Sequence, residues 1–325
     1  MHSHDSISVC IPVYNVAKYL SACIESILLQ TQQPEEIVLM DDASTDQSLA
    51  VARRLAGFDK RIKVFSKEHT TLGDTRNRMI RSSSYELIAM LDSDDIAVPD
   101  RLAKQMVFMN SHQNCVGVGG QVHFMDEFGH LFYRHPWQPQ DAASVERQLL
   151  QGRGSTIWQS SLMVRRSAFE KVGGYNASLN CSEDMDLYLK LLDIGELCNL
   201  SDVLVLIRRH PQSISALGEQ GSNRVRRDRI LMPILKKRGI NDMPLYELGV
   251  EPASKSAWYV RSALGYLDAG SPQVALIHWL CALKENPLNA DVWRALARII
   301  QKFVTGKAWV PNGSAQKDER SIRHA

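Results

Sequence analysis

The sequence predicts an α/β protein in which a mainly parallel sheet carries helices on both faces, followed by a small all-helical region. Two observations support the sheet. Over the first hundred residues, short apolar runs alternate with segments whose apolar residues recur at helical spacing, and polar or acidic residues follow the apolar runs. A third observation supports the helical region, because the chain shows helical spacing alone from residue 257 onward.

The first elements follow one another as strand and helix. Runs rich in Val, Ile and Leu predict buried strands, and the amphipathic segments between them predict the covering helices. The strands are expected at 6–13, 36–40, 61–65 and 85–91, and the helices at 16–30, 46–56, 74–81, 99–109 and 182–192. Since ligands bind at the carboxyl ends of parallel strands, chemistry is expected in the segments that follow the strands.

Composition excludes several classes of protein. Apolar residues make up 44% and charged residues 23%, which argues against disorder, and a net charge of +2 gives no reason to expect nucleic acid as a partner. The six cysteines form no C-x-x-C pair, and the longest uncharged apolar stretch, 272–283, is shorter than the about 20 residues that cross a bilayer. The start of the chain lacks the pattern of a signal peptide. We therefore expect a cytoplasmic protein.

The helical region shows the spacing of a tetratricopeptide repeat. Large, aromatic, Gly, Ala and Pro residues fall at the repeat's positions, and Trp293 follows Tyr259 by 34 residues, the repeat period. The residues concerned are Tyr259, Tyr266, Gly270, Ala275, Trp279, Ala282 and Pro287. The alternative is a plain helical hairpin with core aromatics. The region either binds a protein partner or a second copy, or only packs on the first domain.

The predicted domains are unequal. We expect a catalytic domain at 1–220, a basic helical linker at 221–250, a helical region resembling a tetratricopeptide repeat at 251–310 and a disordered tail at 311–325. The arginines between 224 and 229 favour a solvated helix face over contact with lipid phosphates or an anionic acceptor.

The strongest chemical signal is the acidic turn after the fourth strand, Leu91-Asp92-Ser93-Asp94-Asp95. Three carboxylates within four residues repel one another, and a divalent cation is the simplest compensation. Oxygen ligands at this spacing suit Mg²⁺ or Mn²⁺ held against phosphates. In extended chain, Asp92 and Asp94 point the same way. An isolated D-x-D is more often a solvated acidic turn, so the other motifs decide.

Five other segments carry polar residues at predicted strand ends or helix starts. A carboxylate at a strand end can accept hydrogen bonds from a base edge or a sugar hydroxyl. The alternative for Ser44, Thr45 and the acids at 183 and 184 is a purely structural role at the N-terminus of a helix. The segments are 9–15, 41–46, 73–78, 173–175 with 182–187, and 208–215.

In this order, the six segments resemble the inverting nucleotide-sugar glycosyltransferases of family 2. The resemblance covers about residues 6–215 and implies the GT-A fold of nucleotide-diphospho-sugar transferases, a Rossmann-like mixed sheet with helices on both faces. It also implies a nucleotide-sugar donor, most often a UDP-sugar, a glycan or lipid-linked acceptor, and Mn²⁺ or Mg²⁺ as cofactor. Location would be cytoplasmic, with peripheral association at the inner face of the membrane left open.

The resemblance also implies residue roles. Tyr14 and the two residues before it resemble the floor of the nucleotide pocket. Asp41 resembles the carboxylate that recognises uracil, and Arg76 would lie near the same base. Asp92 resembles the residue that contacts the ribose. The implied nucleotide-binding residues are Pro12, Val13, Tyr14, Asp41, Asp42, Arg76, Asp92 and Ser93. Asp94 resembles the metal ligand, and His210 a histidine near the diphosphate and the metal.

Asp184, supported by Glu183, matches the family's general base, which takes the proton of an acceptor hydroxyl in a single inverting displacement. Gly174, Tyr175, Asp95 and Trp158 would lie near the donor sugar and acceptor, although a core role is equally open for Trp158. The processive synthases of the family carry a Gln-x-x-Arg-Trp motif and membrane helices. This chain shows neither, so we expect the addition of single sugars.

Two other functions remain open from the sequence. One is a catalytically weak scaffold that binds a partner through its helical region. The other is a nucleotidyltransferase, which also holds metal with acidic residues, although residues 13–18 lack the Gly-rich basic loop of that class.

Overall fold

The computed structural model describes residues 6–134, 138–179, 181–211, 226–241, 243–244, 254–268 and 270–305. The chain forms two compact units. The first comprises Met1–His210 and Gly218–Val250, and the second comprises Pro211–Leu217 and Glu251–Ala325. Part of the predicted basic linker and the whole predicted tail lie outside the described residues.

The first unit is built on a mixed nine-stranded sheet, which confirms the predicted fold class. Its strands are β1 Ile7–Val13, β2 Glu36–Asp41, β3 Ile62–Ser66, β4 Leu87–Met90, β5 Ile96–Ala97, β6 Cys115–Met125, β7 Leu131–Arg134, β8 Met163–Arg165 and β9 Glu196–Arg208. Their order is β3-β2-β1-β4-β8-β6-β9-β5, with β7 paired to β6. The first four strands are parallel, and the later part adds antiparallel pairs around the parallel β6–β9 pair.

Helices cover both faces of this sheet. They are α1 Ala17–Leu28, α2 Ser48–Ala56, α3 Leu72–Arg81, α4 Arg101–Ser111, α5 Ala142–Leu150, α6 Arg166–Lys171, α7 Glu183–Leu191 and α8 Met232–Lys237. Residues of α1, α2 and α4 pack on one side of the sheet, whereas residues of α3, α5, α6 and α7 pack on the other. A π-helical turn, Arg226–Leu231, leads into α8 and buries Ile230 and Leu231 in the second of these clusters.

The four predicted strands and their helices match the structure to within a few residues. The sequence did not predict β6 and β9 as strands, because β6 contains Gly117, Gly119 and Gly120 and reads as irregular. These glycines allow β6 to pack closely against side chains of β9. A Cβ on Gly119 would lie 2.5 Å from Asn199 Oδ1, and one on Gly120 would lie 2.5 Å from Leu204 Cγ.

The second unit is helical throughout its described residues. It consists of α9 Lys255–Asp268, α10 Pro272–Glu285 and α11 Ala290–Thr305. Tyr266 and Ala275 are buried between the first two helices, and the Trp279 indole N–H donates to the carbonyl of Val292 at 2.8 Å. Its likeness to a tetratricopeptide repeat stays a prediction. Across the residues that the structure describes, no helix combines the length and apolarity that a membrane span requires.

Candidate active site

The loops that leave β1 and β2 are joined at the carboxyl edge of the sheet. Asn15 Oδ1 accepts from the backbone N–H of Thr45 at 2.8 Å, and the Asn15 N–H donates to Ser44 Oγ at 3.1 Å. Asn15 and Ala43 adopt positive φ angles of 51° and 57°, a region that side-chain-bearing residues rarely occupy. Such backbone strain persists only where neighbouring contacts enforce it, and it concentrates at functional sites.

Asp41 and Asp42 lie at this edge of the sheet, and their surroundings differ. Asp41 is 1% exposed, and its Oδ2 accepts from the Ser44 N–H and the Ser66 hydroxyl, both at 3.3 Å. Its Oδ1 has no hydrogen-bond partner among the described residues. A buried oxygen left in this state costs free energy unless a ligand donates to it. Asp42 is instead bound by Lys67, and its N–H donates to the carbonyl of Val13 at 2.9 Å.

Tyr14 extends from the end of β1 beyond the buried Pro12 and Val13 and is 47% exposed. Its ring stacks on His69 at a centroid distance of 4.8 Å, and His69 Nδ1 lies 3.0 Å from Asp42 Oδ2. The sequence did not single out Lys67 or His69. Their pairing with Asp42 joins residues 25 and 27 positions apart, which local patterns do not show.

The acidic turn after β4 alternates in its exposure. Asp92 and Asp94 are half-buried, whereas Ser93 and Asp95 are buried. The segment is a turn closed by the Asp95 N–H, which donates to the carbonyl of Asp92 at 3.1 Å, and not the extended chain that the sequence suggested. Asp94 Oδ2 lies 3.0 Å from His210 Nε2. The structure thus brings together the two residues to which the sequence assigned the metal.

Asp95 holds the end of β9 against this turn. Its Oδ1 accepts from the Arg208 N–H at 2.8 Å, while Arg208 Nε donates to the carbonyl of Asp94 at 2.9 Å. Burial, and then the nearby charges of Asp94 and Asp92, raise the pKa of Asp95 well above its ordinary value. In the structure, Asp95 therefore contacts β9. The resemblance instead implied a position beside the donor sugar.

Tyr19 supports the same corner, although the sequence gave no sign of it. Its ring lies 5.2 Å from the ring of His210, and the Arg208 guanidinium lies 4.7 Å from the Tyr19 centroid. A helix-face tyrosine reads as ordinary packing in the sequence. Only the folded structure shows that Tyr19 packs against His210, a candidate metal ligand.

Arg76 joins the acidic turn to the start of α7. Its Nη2 donates to Asp92 Oδ1 at 2.9 Å and its Nη1 to Glu183 Oε1 at 2.6 Å, and the side chain is almost fully buried. The sequence placed Arg76 near the base. In the structure its two terminal nitrogens bind the predicted ribose contact and the predicted supporting acid.

Glu183 and Asp184 open α7 in unlike environments. Glu183 is buried, and burial raises its pKa, with Asp184 adding to the effect and Arg76 opposing it. Asp184 is half-buried, and its Oδ1 accepts from the Met185 N–H at 2.7 Å. The helix is preceded by Ser182 at φ 59°. Of the two acids, Asp184 is therefore the one that remains partly accessible to solvent.

Gly174 and Tyr175 lie behind this helix and are both buried. Tyr175 exchanges backbone hydrogen bonds of 2.9 and 2.8 Å with the Asn77 amide, and its hydroxyl accepts from Gln159 at 2.6 Å. Gly174 has φ +70°, and a Cβ there would lie 2.5 Å from Asn77 Oδ1. Both residues therefore position the loop after α6 against Arg76 and Asn77.

The Trp158 ring meets Phe124 edge-on at a centroid distance of 5.5 Å and lies 5.7 Å from the guanidinium of Arg209, the residue before His210. It is partly buried against the core, so the structure shows a packing role and leaves its place near an acceptor as a prediction.

The donor set suits a hard divalent cation only in part. Within the described residues, no three His, Cys, Asp or Glu side chains form a ready-made metal cluster. Asp94 and His210 supply one carboxylate and one imidazole, and Mg²⁺ or Mn²⁺ commonly completes its shell with water and substrate phosphate oxygens. The residues present therefore fit a cation that is bound together with a diphosphate.

Arg76→Met is expected to lower the free energy of unfolding by about 3–5 kcal/mol, because Glu183 stays buried without its partner. Urea unfolding followed by circular dichroism measures this. Arg78→Met is the matched control on the same helix. Its exposed pair with Asp74 contributes less than about 1 kcal/mol. Arg76→Met/Glu183→Gln should recover part of the loss, and a double variant that loses the sum of both effects would contradict the pairing.

Comparison with known proteins identifies the family. The model of the family described as "Glycosyl transferase family 2" matches residues 8–173. EpsE of Bacillus subtilis (strain 168), named as a glycosyltransferase, is 32% identical over 213 residues, covering 64% of this chain and 74% of EpsE. The amylovoran biosynthesis glycosyltransferase AmsE of Erwinia amylovora is 30% identical over 269 residues, covering 80% of this chain and 91% of AmsE.

Solved structures share the fold. S. aureus TarS 1–349 superposes with a TM-score of 0.52 at 18% identity, covering 93% of this chain and 92% of that one. The mannosyltransferase PcManGT of Pyrobaculum calidifontis, in complex with GDP-Man and Mn²⁺, gives a TM-score of 0.50 at 18% identity and covers 90% of this chain and 78% of that one. Because the family match spans half of the chain and both curated relatives carry the same activity in their names, this protein belongs to glycosyl transferase family 2 and is a glycosyltransferase.

Proposed function

We propose that the protein is a metal-dependent inverting transferase that moves a single sugar from a nucleotide-diphosphate donor, a UDP-sugar, to a hydroxyl acceptor in cell-surface glycan or glycolipid biosynthesis. One observation carries the proposal. Asp92 and Asp94 are the half-buried acids of the turn, Asp94 Oδ2 lies 3.0 Å from His210 Nε2, and Arg76 links Asp92 to Glu183 at the start of α7. This arrangement supports a site in which the acidic turn would hold the diphosphate and an acid at the start of α7 would serve the acceptor.

The choice of uracil rests on Asp41. Its buried Oδ1 is a single acceptor without a partner among the described residues. Uracil offers one ring N–H to such an oxygen, whereas the guanine edge offers two donors and needs two free acceptors. The exposed Tyr14 ring, at the end of the neighbouring strand β1, gives a flat surface on which a base can stack. TarS structures in complex with UDP and UDP-GlcNAc accord with this choice.

The metal proposal rests on the Asp94–His210 pair. A divalent cation bound there would supply positive charge against the negative charge that grows on the leaving diphosphate. Asp94 and His210 would bind the cation. The Tyr19 ring and the hydrogen bonds between Arg208 and the acidic turn would keep these two side chains in place. The Mn²⁺ in the PcManGT complex accords with this proposal.

The inverting step rests on the contrast between Glu183 and Asp184. In a single displacement, the base takes the proton from the acceptor hydroxyl, the hydroxyl oxygen bonds to the anomeric carbon, and the nucleoside diphosphate leaves from the opposite face. Asp184 is the more exposed acid at the start of α7, whereas Glu183 is bound to Arg76. We therefore assign the base to Asp184 and the ion pair that orients the helix start to Glu183.

The acceptor and the setting are proposed from the relatives. The name of AmsE places it in biosynthesis of amylovoran, which favours a glycan or lipid-linked acceptor for this chain. We further propose that the catalytic domain ends near residue 220, that the helical region at 251–310 resembles a tetratricopeptide repeat, and that the protein acts in the cytoplasm.

Calorimetric titration with UDP tests the donor and metal sites. UDP is expected to bind at least about tenfold more tightly with Mn²⁺ than without it, a gain of roughly 1.4 kcal/mol. Asp94→Ala should abolish this gain, because the cation loses its carboxylate. GDP should bind more weakly than UDP under the same conditions. Equal UDP binding with and without Mn²⁺, or an undiminished gain in Asp94→Ala, would contradict the proposal.

Asp184→Asn tests the base. The variant is expected to keep the wild-type affinity for UDP and Mn²⁺ and to lose transfer by about 10²-fold or more, because the base acts only in the transition state. Asp186→Asn is the matched control, since Asp186 lies in the same helical turn but pairs with Lys190. Hydrolysis of a UDP-sugar to UDP, measured with each variant, reports activity before the acceptor is known. Equal activities of Asp184→Asn and wild type would overturn the assignment.

A further inference from the structure

Gln159 is a buried glutamine whose side-chain amide joins two tyrosine hydroxyls. Its Nε2 donates to the Tyr175 hydroxyl at 2.6 Å, and its Oε1 accepts from the Tyr188 hydroxyl at 2.9 Å. The two tyrosines come from different segments, since Tyr175 lies in the loop after α6 and Tyr188 lies in α7. All three side chains are buried, and a buried polar group that loses its partner costs free energy. Gln159 therefore fixes the loop and the helix to one point.

The segment that carries Gln159 is itself attached to the acidic turn. Ser160 Oγ accepts from the Asp92 N–H at 2.9 Å. The carbonyl of Leu162 accepts from the N–H of Met90, the last residue of β4, at 2.8 Å. The backbone around Gln159 is thus hydrogen-bonded to the strand and the turn that would hold the donor, while its side chain is hydrogen-bonded to α7.

Tyr188 places this link one helical turn from the proposed base. It follows Asp184 by four residues in α7, so the two side chains lie on the same face of the helix. Arg76 supplies an ionic link between the same two parts, because it binds both Asp92 and Glu183. The acidic turn and the start of α7 are therefore connected through a salt bridge and through a neutral amide.

We propose that Gln159 is a positioning residue for the transfer step, because it sets the place of Asp184 relative to the acidic turn through Tyr188. The inference rests on the proposed function, in which the acidic turn would hold the donor and Asp184 would take the acceptor proton. A base must lie within hydrogen-bond reach of that proton, and a displacement of about 1 Å can lower a rate by about 10²-fold. Since the tyrosines occupy both polar atoms of the amide, Gln159 acts on turnover and leaves UDP binding unchanged.

Turnover and binding by Gln159→Met test this role. The substitution removes both hydrogen bonds and nearly keeps the volume of the side chain. With Mn²⁺ present, kcat for UDP-sugar hydrolysis is expected to fall by about tenfold or more, because the base is no longer held in place. Calorimetry should still show one UDP bound per chain, with a Kd within about twofold of wild type. A kcat equal to that of wild type, or a loss of UDP binding in step with kcat, would overturn the inference.

Gln121→Met is the matched control. Gln121 is also a buried glutamine, but its amide hydrogen-bonds to the backbone of Gln138 and Leu200 instead of to α7. This variant loses a comparable set of hydrogen bonds and should keep kcat within about twofold of wild type. Equal losses of kcat in Gln121→Met and Gln159→Met would contradict a specific link to α7.

Tyr188→Phe covers the case in which Gln159→Met does not fold, because it removes only one hydroxyl of the same link. It is expected to lower kcat by roughly threefold or more. Gln159→Met/Tyr188→Phe should lose less than the product of the two separate losses, since both changes break one contact. An unchanged kcat in folded Tyr188→Phe would contradict the proposal.

The Asp184→Asn background separates this inference from the proposed function. There, Gln159→Met should lower the residual rate by less than about twofold, because the base that it positions is already absent. The same loss in both backgrounds would indicate a general structural effect and overturn this inference alone. An unimpaired Asp184→Asn enzyme would overturn the assignment of the base and this inference with it.

Discussion

Mutual repulsion among carboxylates at the carboxyl edge of the sheet is the constraint on which the rest of the site depends. Asp41, Asp42, Asp92, Asp94, Asp95, Glu183 and Asp184 all belong to the candidate site, and several of them are buried. Cations from other elements hold them in place. Lys67 binds Asp42, Arg76 bridges Asp92 and Glu183, and Arg208 donates to the acidic turn. Each pairing joins distant segments, so the site is also a set of tertiary contacts.

The parallel order of the first strands explains why these segments meet. Neighbouring strands β3, β2, β1 and β4 run in one direction, so the loops that leave them emerge at one edge. The loop after β1 is bonded to the loop after β2 through Asn15, and the loop after β3 reaches back to Asp42. Asp94 and Tyr14 remain partly accessible at this edge, whereas buried neighbours such as Asp42 and Asp95 carry the structural pairing.

The sequence predicted the parts of the fold that local patterns encode. Strands β1, β2 and β4 are continuous apolar runs, which the sequence shows directly. Strand β6 was not predicted, because Gly119 and Gly120 interrupt its apolar pattern where tight contact with Asn199 and Leu204 of β9 excludes side chains.

The supporting residues of the site could not be predicted for a related reason. Lys67, His69 and Tyr19 acquire their roles through partners far along the chain. Motif resemblance finds residues that touch substrate, whereas the charges behind them become visible only when the strands are assembled.

The central claim is that the acidic turn and His210 hold a cation against the diphosphate of the donor. A crystal grown with UDP and Mn²⁺, measured at a wavelength where manganese scatters anomalously, tests it most directly. The account predicts one anomalous peak within coordination distance of Asp94 and a diphosphate oxygen, with the uracil ring beside Asp41 and Tyr14. UDP bound at this edge without a manganese peak, or a peak away from Asp94, would contradict it.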